Sequence, residues 1–381
     1  VKLFRAIVFF SLVLLASSKS FAKDFPNDIR EKLNTETELL AKSVGIPGLN
    51  VGIWVPEDGE WVNSFGLSDK TTRKKMDRQD HFRIGSITKT FVTTAVLQLS
   101  DEGKLSLSDK ISKYVSNVPN GDKITIKNLA NMTSGLANYT ENDNWLKKEV
   151  FAKGNTKVIT AQDVLDVAFK MPIKFEPDKG WQYSNTNTVL LGLVIEKVSG
   201  MSLPQYLNQN IFKPLGLNNT IYPTNASIPA PYAHGYTKQT IDDMEDEVTS
   251  FNPFWTNAAG QMISTFDDMK IWAKALGTGK LLKPNTFKVR LEWDKIPPNT
   301  EIKKYGFGIA FNNGWITHTG SLPGYNCVIG YLPEKAAIFV AMINSDIDYA
   351  EKGKKSIPLA ELVFEAVTKI ATPDNVYFIK R

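Results

Sequence analysis

The feature that most limits the fold is the placement of strand-like runs at both ends of the chain, with helix-like runs between them. "GLNVGIWVPEDGEWVNSFG", residues 48–66, reads as a β-hairpin. Two apolar-rich runs flank Glu57-Asp58-Gly59, and Asp-Gly is a strong turn signal. Near the other end the pattern returns as "GWITHTG" (314–320), "YNCVIGYLP" (325–333) and "AAIFVAMINS" (336–345), joined by the turn-like "SLPG" and "PEK". An isolated hairpin is marginal in water. The simplest assembly therefore pairs the early hairpin with the late strands in one antiparallel sheet. Helices read at "DIREKLNTETELLAKSVG" (28–45) and "IPLAELVFEAVTKI" (357–370) would cover that sheet.

The middle of the chain has a different period. "SITKTFVTTAVLQLSDEG" (86–103) has apolar residues at 87, 91, 92, 95, 96 and 99, which is helical spacing, and Gly103 ends it. "NTVLLGLVIEKVSG" (187–200) and "TFDDMKIWAKALG" (265–277) are further helices with glycine stops. The expectation is an α+β fold, an α/β sandwich, with an antiparallel sheet flanked by helices and a mainly helical lobe beside it. The domain would run over 23–381. Its sheet lobe would come from about 23–84 and 301–381, and its helical lobe from about 85–300. A site between the lobes would draw residues from both.

Residues 1–22 read as a signal peptide. Lys2 and Arg5 form a basic start, Ala6 to Ala16 an apolar core, and "SFA" ends at Ala22 with small residues where a signal peptidase needs them. The apolar run is short for a membrane span, so no stable span is expected after cleavage. That segment holds Lys2, Arg5 and Lys19 and no acids. Without it, the 45 basic residues of the whole chain fall close to the 40 acidic ones. A near-neutral mature chain gives no electrostatic footprint for nucleic acid. Cys327 is the single cysteine, so no intrachain disulfide can form. Secretion without disulfides fits a bacterial periplasm or the extracellular space better than a disulfide-stapled scaffold.

Three short stretches could carry chemistry. In "RIGSITKTF" (83–91), Ser86 and Lys89 stand three apart at a helix start, where side chains are neighbours. A cation is disfavoured at a helix N-terminus, so the lysine is poorly placed as a surface charge and well placed to lose its proton. A neutral amine could activate the serine hydroxyl as a nucleophile. Taken alone, the pair also fits a capping serine and a solvent lysine. In "WQYSNTN", Tyr183 and Asn185 would point the same way in extended backbone and offer a proton shuttle and an amide to one substrate. In "THTGSLPG", His318, Thr319, Gly320 and Ser321 close a strand. Gly320 would let a substrate backbone approach, and Thr319 and Ser321 offer hydroxyls. Each of these alone also has an ordinary structural explanation. Cys327 lies in the apolar pattern "YNCVIGY" and reads as buried and inert. No G-x-S-x-G, complete phosphate loop or H-E-x-x-H is present, so no cofactor and no metal are expected.

Together and in this order, the three stretches resemble the penicillin-recognising serine hydrolases. Within them, the chain is similar to the branch of class C β-lactamases, soluble D,D-carboxypeptidases, D-aminopeptidases and related esterases. "NMTSGLANYT", "AAGQMISTFDDM" and "GSLPGYNC" fit the same branch. The resemblance implies a β-lactamase/transpeptidase-like fold and an acyl-enzyme on Ser86. Lys89 would assist deprotonation, Tyr183 would act as acid/base facing the leaving group, and Asn185 would orient the substrate amide. The N–H groups of Ser86 and Ser321 would form an oxyanion hole, and Thr319 and Ser321 would bind a substrate carboxylate. His318 stands where class C β-lactamases hold a lysine, which favours a peptidase. The reading is a D-alanyl-D-alanine carboxypeptidase-type enzyme that binds penicillin, acting on a small peptide, β-lactam or ester, with a peptidoglycan stem peptide as one source. A β-lactamase, an esterase or a D-aminopeptidase is the alternative, and a non-catalytic penicillin-binding-like protein a more distant one. With an unperturbed imidazole pKa, His318 would hold an anionic substrate only at lower pH.

Overall fold

A computed structural model describes residues 23–151, 158–240, 244–296, 304–350 and 355–379. The expected signal segment lies outside the described residues. The main sheet has nine strands: β1 (Gly48–Val55), β2 (Gly59–Asp69), β3 (Lys74–Lys75), β4 (Asp294–Lys295), β5 (Lys304–Tyr305), β6 (Ala310–Asn312), β7 (Trp315–Leu322), β8 (Tyr325–Leu332) and β9 (Ala337–Ile343). Their order across the sheet is β3-β2-β1-β9-β8-β7-β6-β5-β4. Every neighbouring pair is antiparallel. The two ends of the chain meet where β1 pairs with β9, from Leu49 opposite Ile343 to Trp54 opposite Ile338.

The central strands are apolar on both faces because both faces are covered. In β9, Ala337, Phe339, Ala341 and Ile343 enter one core, while Ile338, Val340 and Met342 enter the other. The first core lies under the terminal helices Asn27–Ser43 and Leu359–Ala371, which also pack on each other. Phe364 anchors it, stacked on Phe339 with ring centroids 4.0 Å apart and on Tyr377 at 4.3 Å. The second core lies under the helix Phe266–Thr278, which crosses β8 and β9. That contact is backbone-close: a Cβ at Gly277 would fall 2.2 Å from the Tyr331 ring. So this helix packs on the sheet although it lies within the stretch 85–300 that reads as the helical lobe.

The helix Thr88–Asp101 sits at the centre of the molecule. Eleven of its residues, Thr88 to Leu97 and Leu99, are buried, which is the pattern of a helix enclosed on all sides. It packs on the helix Asn185–Ser199, and Phe91 stacks on Trp272 at 3.8 Å. Its threonines turn their hydroxyls onto preceding carbonyls: Thr93 donates to Lys89 O and Thr94 to Thr90 O. Burial of these polar side chains is thereby satisfied within the helix.

Candidate active site

Ser86 sits in a short 3-10 turn, Gly85–Ile87, just ahead of the central helix. The turn is fixed from two sides. The strand Phe82–Arg83 pairs with Ile263–Ser264, and Ile84 N–H donates to Met262 O at 3.0 Å. On the other side the turn lies against the edge of β7. Gly85 has φ +50°, and a Cβ there would fall 2.7 Å from Ser321 N. Only glycine combines that left-handed backbone with so close an approach.

Gly320 has the complementary role. A Cβ on it would fall 1.9 Å from Ile84 O and 3.1 Å from Ser86 N. Its missing side chain therefore admits the protein's own Ser86 turn, which corrects the expectation that it makes room for a substrate backbone. Strand β6 pairs with β7 only over Trp315–Thr317, so the later part of that edge has no partner strand. Leu322 and Tyr325 flank the two-residue turn to β8. In such a hairpin they form the hydrogen-bonded pair, and alternation then turns the N–H groups of Thr319 and Ser321 away from β8. Ser321 N–H and Ser86 N–H thus lie close together at one edge. Ser86 and Thr319 are half-buried and Ser321 is exposed, so the site has an open mouth.

Lys89 is wholly buried. Its Nζ lies 2.8 Å from Ser86 Oγ and donates to Ala259 O at 2.7 Å. Burial holds the amine well below its usual pKa, and no carboxylate pairs with it among the described residues. A neutral amine has one lone pair, and with an N–H given to Ala259 that lone pair is free to face Ser86. Tyr183 closes the other side. Its phenol interacts with Ser86, and its ring centroid is 4.9 Å from Lys89 Nζ. Burial drives the phenol pKa well above its usual value. The two groups are pushed in opposite directions, which favours the amine as proton acceptor and the phenol as donor.

His318 is buried, with both ring nitrogens engaged. Nδ1 donates to Thr319 O at 2.6 Å, which fixes the tautomer. Nε2 then accepts from Tyr305 O–H at 3.2 Å. Burial first, and Lys89 second, pull the imidazole down to about 3. This corrects the expectation of a histidine that gains charge near neutrality. Asn185 differs too. It is the first residue of the helix Asn185–Ser199, not part of an extended strand, and its amide donates to Thr140 Oγ1 at 3.2 Å. Cys327 is fully buried, and burial pushes its thiol up to about 12.

Two contributors were not evident from the sequence. Ala259 acts through a carbonyl, which no side-chain pattern reports. Tyr305 lies in the two-residue strand β5, too short for any periodicity.

This fold and site define a serine hydrolase of the β-lactamase and penicillin-binding class. The chain belongs to the Beta-lactamase family, whose profile matches residues 34–362. It is 29% identical to penicillin-binding protein 4* of Bacillus subtilis (strain 168) over 349 residues, 84% of this chain and 74% of that protein. It is 28% identical to the putative penicillin-binding protein PbpX of the same strain over 306 residues, 80% of this chain and 72% of that one. Among solved structures, a D-stereospecific amidohydrolase from Streptomyces sp. superposes with a TM-score of 0.75 at 29% identity, covering 85% of this chain and 96% of the other. The D-amino acid amidase of Ochrobactrum anthropi SV3 shares the fold, with a TM-score of 0.78 at 24% identity over 90% of this chain and 97% of that one.

Proposed function

We propose that the protein hydrolyses an amide bond of a short D-amino-acid-containing substrate through an acyl-enzyme on Ser86. The observation that carries this reading is the buried Lys89 amine 2.8 Å from Ser86 Oγ, with no carboxylate paired to it among the described residues. Ser86 Oγ attacks the substrate carbonyl carbon while its proton passes to Lys89 Nζ. The carbonyl oxygen gains the charge and lies between the N–H groups of Ser86 and Ser321, each such donor being worth about 3 kcal/mol in general. The carbon–nitrogen bond then breaks, and the proton reaches the leaving nitrogen by way of Tyr183 O–H. Water attacks the ester, its proton takes the reverse route, and Ser86 is restored.

Support for a D-configured donor comes from the Streptomyces amidohydrolase at 29% identity. A D-alanyl-D-alanine carboxypeptidase that binds penicillin shares this acyl half-reaction and differs in the leaving group. A β-lactamase or esterase differs in the group cleaved. Asn185, held by Thr140, is proposed to line the acyl-donor side, and Thr319 and Ser321 the leaving side. We also propose export to the periplasm or outside the cell after cleavage at Ala22, checked by N-terminal sequencing of the exported chain. Among the described residues, no helix is long and apolar enough to cross a membrane.

The test is labelling with an uncharged fluorophosphonate, read by intact mass and peptide mapping. One adduct on Ser86, absent in Ser86→Ala, is expected. A labelled Ser86→Ala protein would refute the assignment.

A further inference from the structure

The carbonyl to which Lys89 donates belongs to an unusual stretch of backbone. The 3-10 segment Phe254–Ala259 packs on both the central helix and the Ser86 turn. Within it Asn257 leaves helical geometry, with φ 45° and ψ −140°. A side chain is disfavoured there, and the position lies outside the left-handed well that asparagine commonly enters. Such a conformation persists only where its surroundings fix it. Three N–H groups do so. Asn257 O accepts from Gly260 and Gln261, both at 3.1 Å, and Asn257 Oδ1 accepts from Ala258 at 2.8 Å.

The consequence falls on Ala259, two residues on. In a helix that continued, its carbonyl would take the N–H of Met262 or Ile263. Here Met262 N–H donates to Thr88 Oγ1 at 3.3 Å and Ile263 N–H to Ile221 O at 3.0 Å. The Ala259 carbonyl is turned to Lys89 Nζ instead, at 2.7 Å. That bond sets how the amine is rotated. With one N–H held by Ala259, the lone pair can face Ser86 Oγ at 2.8 Å. Without it, the amine can donate to the serine and lose its use as a base.

We infer that Asn257 is a positioning residue, whose positive-φ backbone aims the Ala259 carbonyl at Lys89 and so orients the base. The inference rests on the acyl-enzyme reading above and adds a residue that acts through Lys89. The titratable side chains facing the amine are Tyr183, with its ring 4.9 Å from Nζ, and His318, whose imidazole senses the amine's charge. Burial holds the phenol up and the imidazole down, so the ascending limb of acylation against pH belongs to Lys89. A carbonyl acceptor favours the ammonium form, so its loss should move that limb to lower pH.

The experiment measures kcat/KM for an uncharged ester against pH in the wild type, Asn257→Ala and Asn257→Gly, per Ser86 titrated by the fluorophosphonate. Both variants lack Oδ1, and only glycine takes up this backbone without strain. Asn257→Ala should lose about 10- to 100-fold at the plateau, the scale of a misplaced catalytic group. Its limb should move down by at least about half a pH unit. Asn257→Gly should stay within about threefold of wild type, with the limb in place. Should Asn257→Ala not fold, Asn257→Ser, whose hydroxyl can still accept from Ala258, replaces it with the same expectation. A purely structural role would lower the Tm of Asn257→Ala and leave the limb and the rate per titrated site unchanged, and that result would overturn the inference. So would a limb that moves to higher pH, or Asn257→Gly as impaired as Asn257→Ala. A wild type that is not labelled at Ser86 would instead remove the reading beneath it.

Discussion

Lys89 and His318 are two buried bases in the same site, and they have opposite uses. Both are stripped of solvent, and burial lowers the pKa of each. The lysine keeps a lone pair for Ser86, since its other contact is a carbonyl to which it donates. The histidine has no nitrogen left, because one donates to Thr319 O and the other accepts from Tyr305. Desolvation therefore does not make a base reactive by itself. The hydrogen bonds that remain decide whether the base acts or only supports.

The largest effect should come from the lysine side. Lys89→Met keeps an unbranched apolar stem but has no base, and acylation should fall by ~100-fold or more, the range of general-base catalysis. Lys89→Arg should be no better, since arginine stays protonated in proteins. A near-normal acylation rate in either variant, read by stopped-flow with a neutral ester, would break the contrast. Lys89 also bears on stability. Its folded-state pKa is depressed, so the unfolded chain binds more protons below the ordinary lysine value of 10.5. Stability should rise as pH rises toward that value. Lys89→Met should lack this slope in urea melts taken from neutral to alkaline pH.

A second effect tests the shared edge. Gly320→Ala would drive a methyl into Ile84 O, since the Cβ position is 1.9 Å from that atom. The expected cost is about 1–3 kcal/mol, as for other overpacked sites. Acylation should fall further than stability because Ser321 N–H moves with the strand. Unchanged kcat/KM in a folded Gly320→Ala protein would show that the edge and the turn are not in register.

How much of this was legible in the chain depends on which atoms do the work. The closure of β1 on β9 was readable, because strands covered on both faces become long apolar runs such as "AIFVAMI". Ser86 and Lys89 were readable as neighbours, because three residues span one helical turn. The charge of His318 was not, because its ordinary pKa belongs to a solvated ring and burial is a property of the fold. The role of Gly320 was misread for a similar reason: the sequence says that something comes close, and only the packing says what. Tyr305 arrives on a two-residue strand, and Ala259 contributes a carbonyl that any residue would supply.

A smaller effect sharpens the histidine side. Because the folded-state imidazole is held down to about 3 from 6.5, the unfolded chain binds the extra proton between those values. Stability should fall as pH drops through that window. His318→Gln should flatten that part of the curve in thermal melts. An unchanged curve would mean that His318 takes up its proton in the native protein at the same pH as in the unfolded chain.

The central claim is that Ser86 is activated by a neutral lysine while the histidine stays out of the titration. The pH dependence of acylation by an uncharged ester tests it most directly. The account predicts a single ascending limb with an apparent pKa well below 10.5, assigned to Lys89, and no second limb near 6.5. A limb that rises only near 10.5, or a loss of rate centred near 6.5, would contradict it.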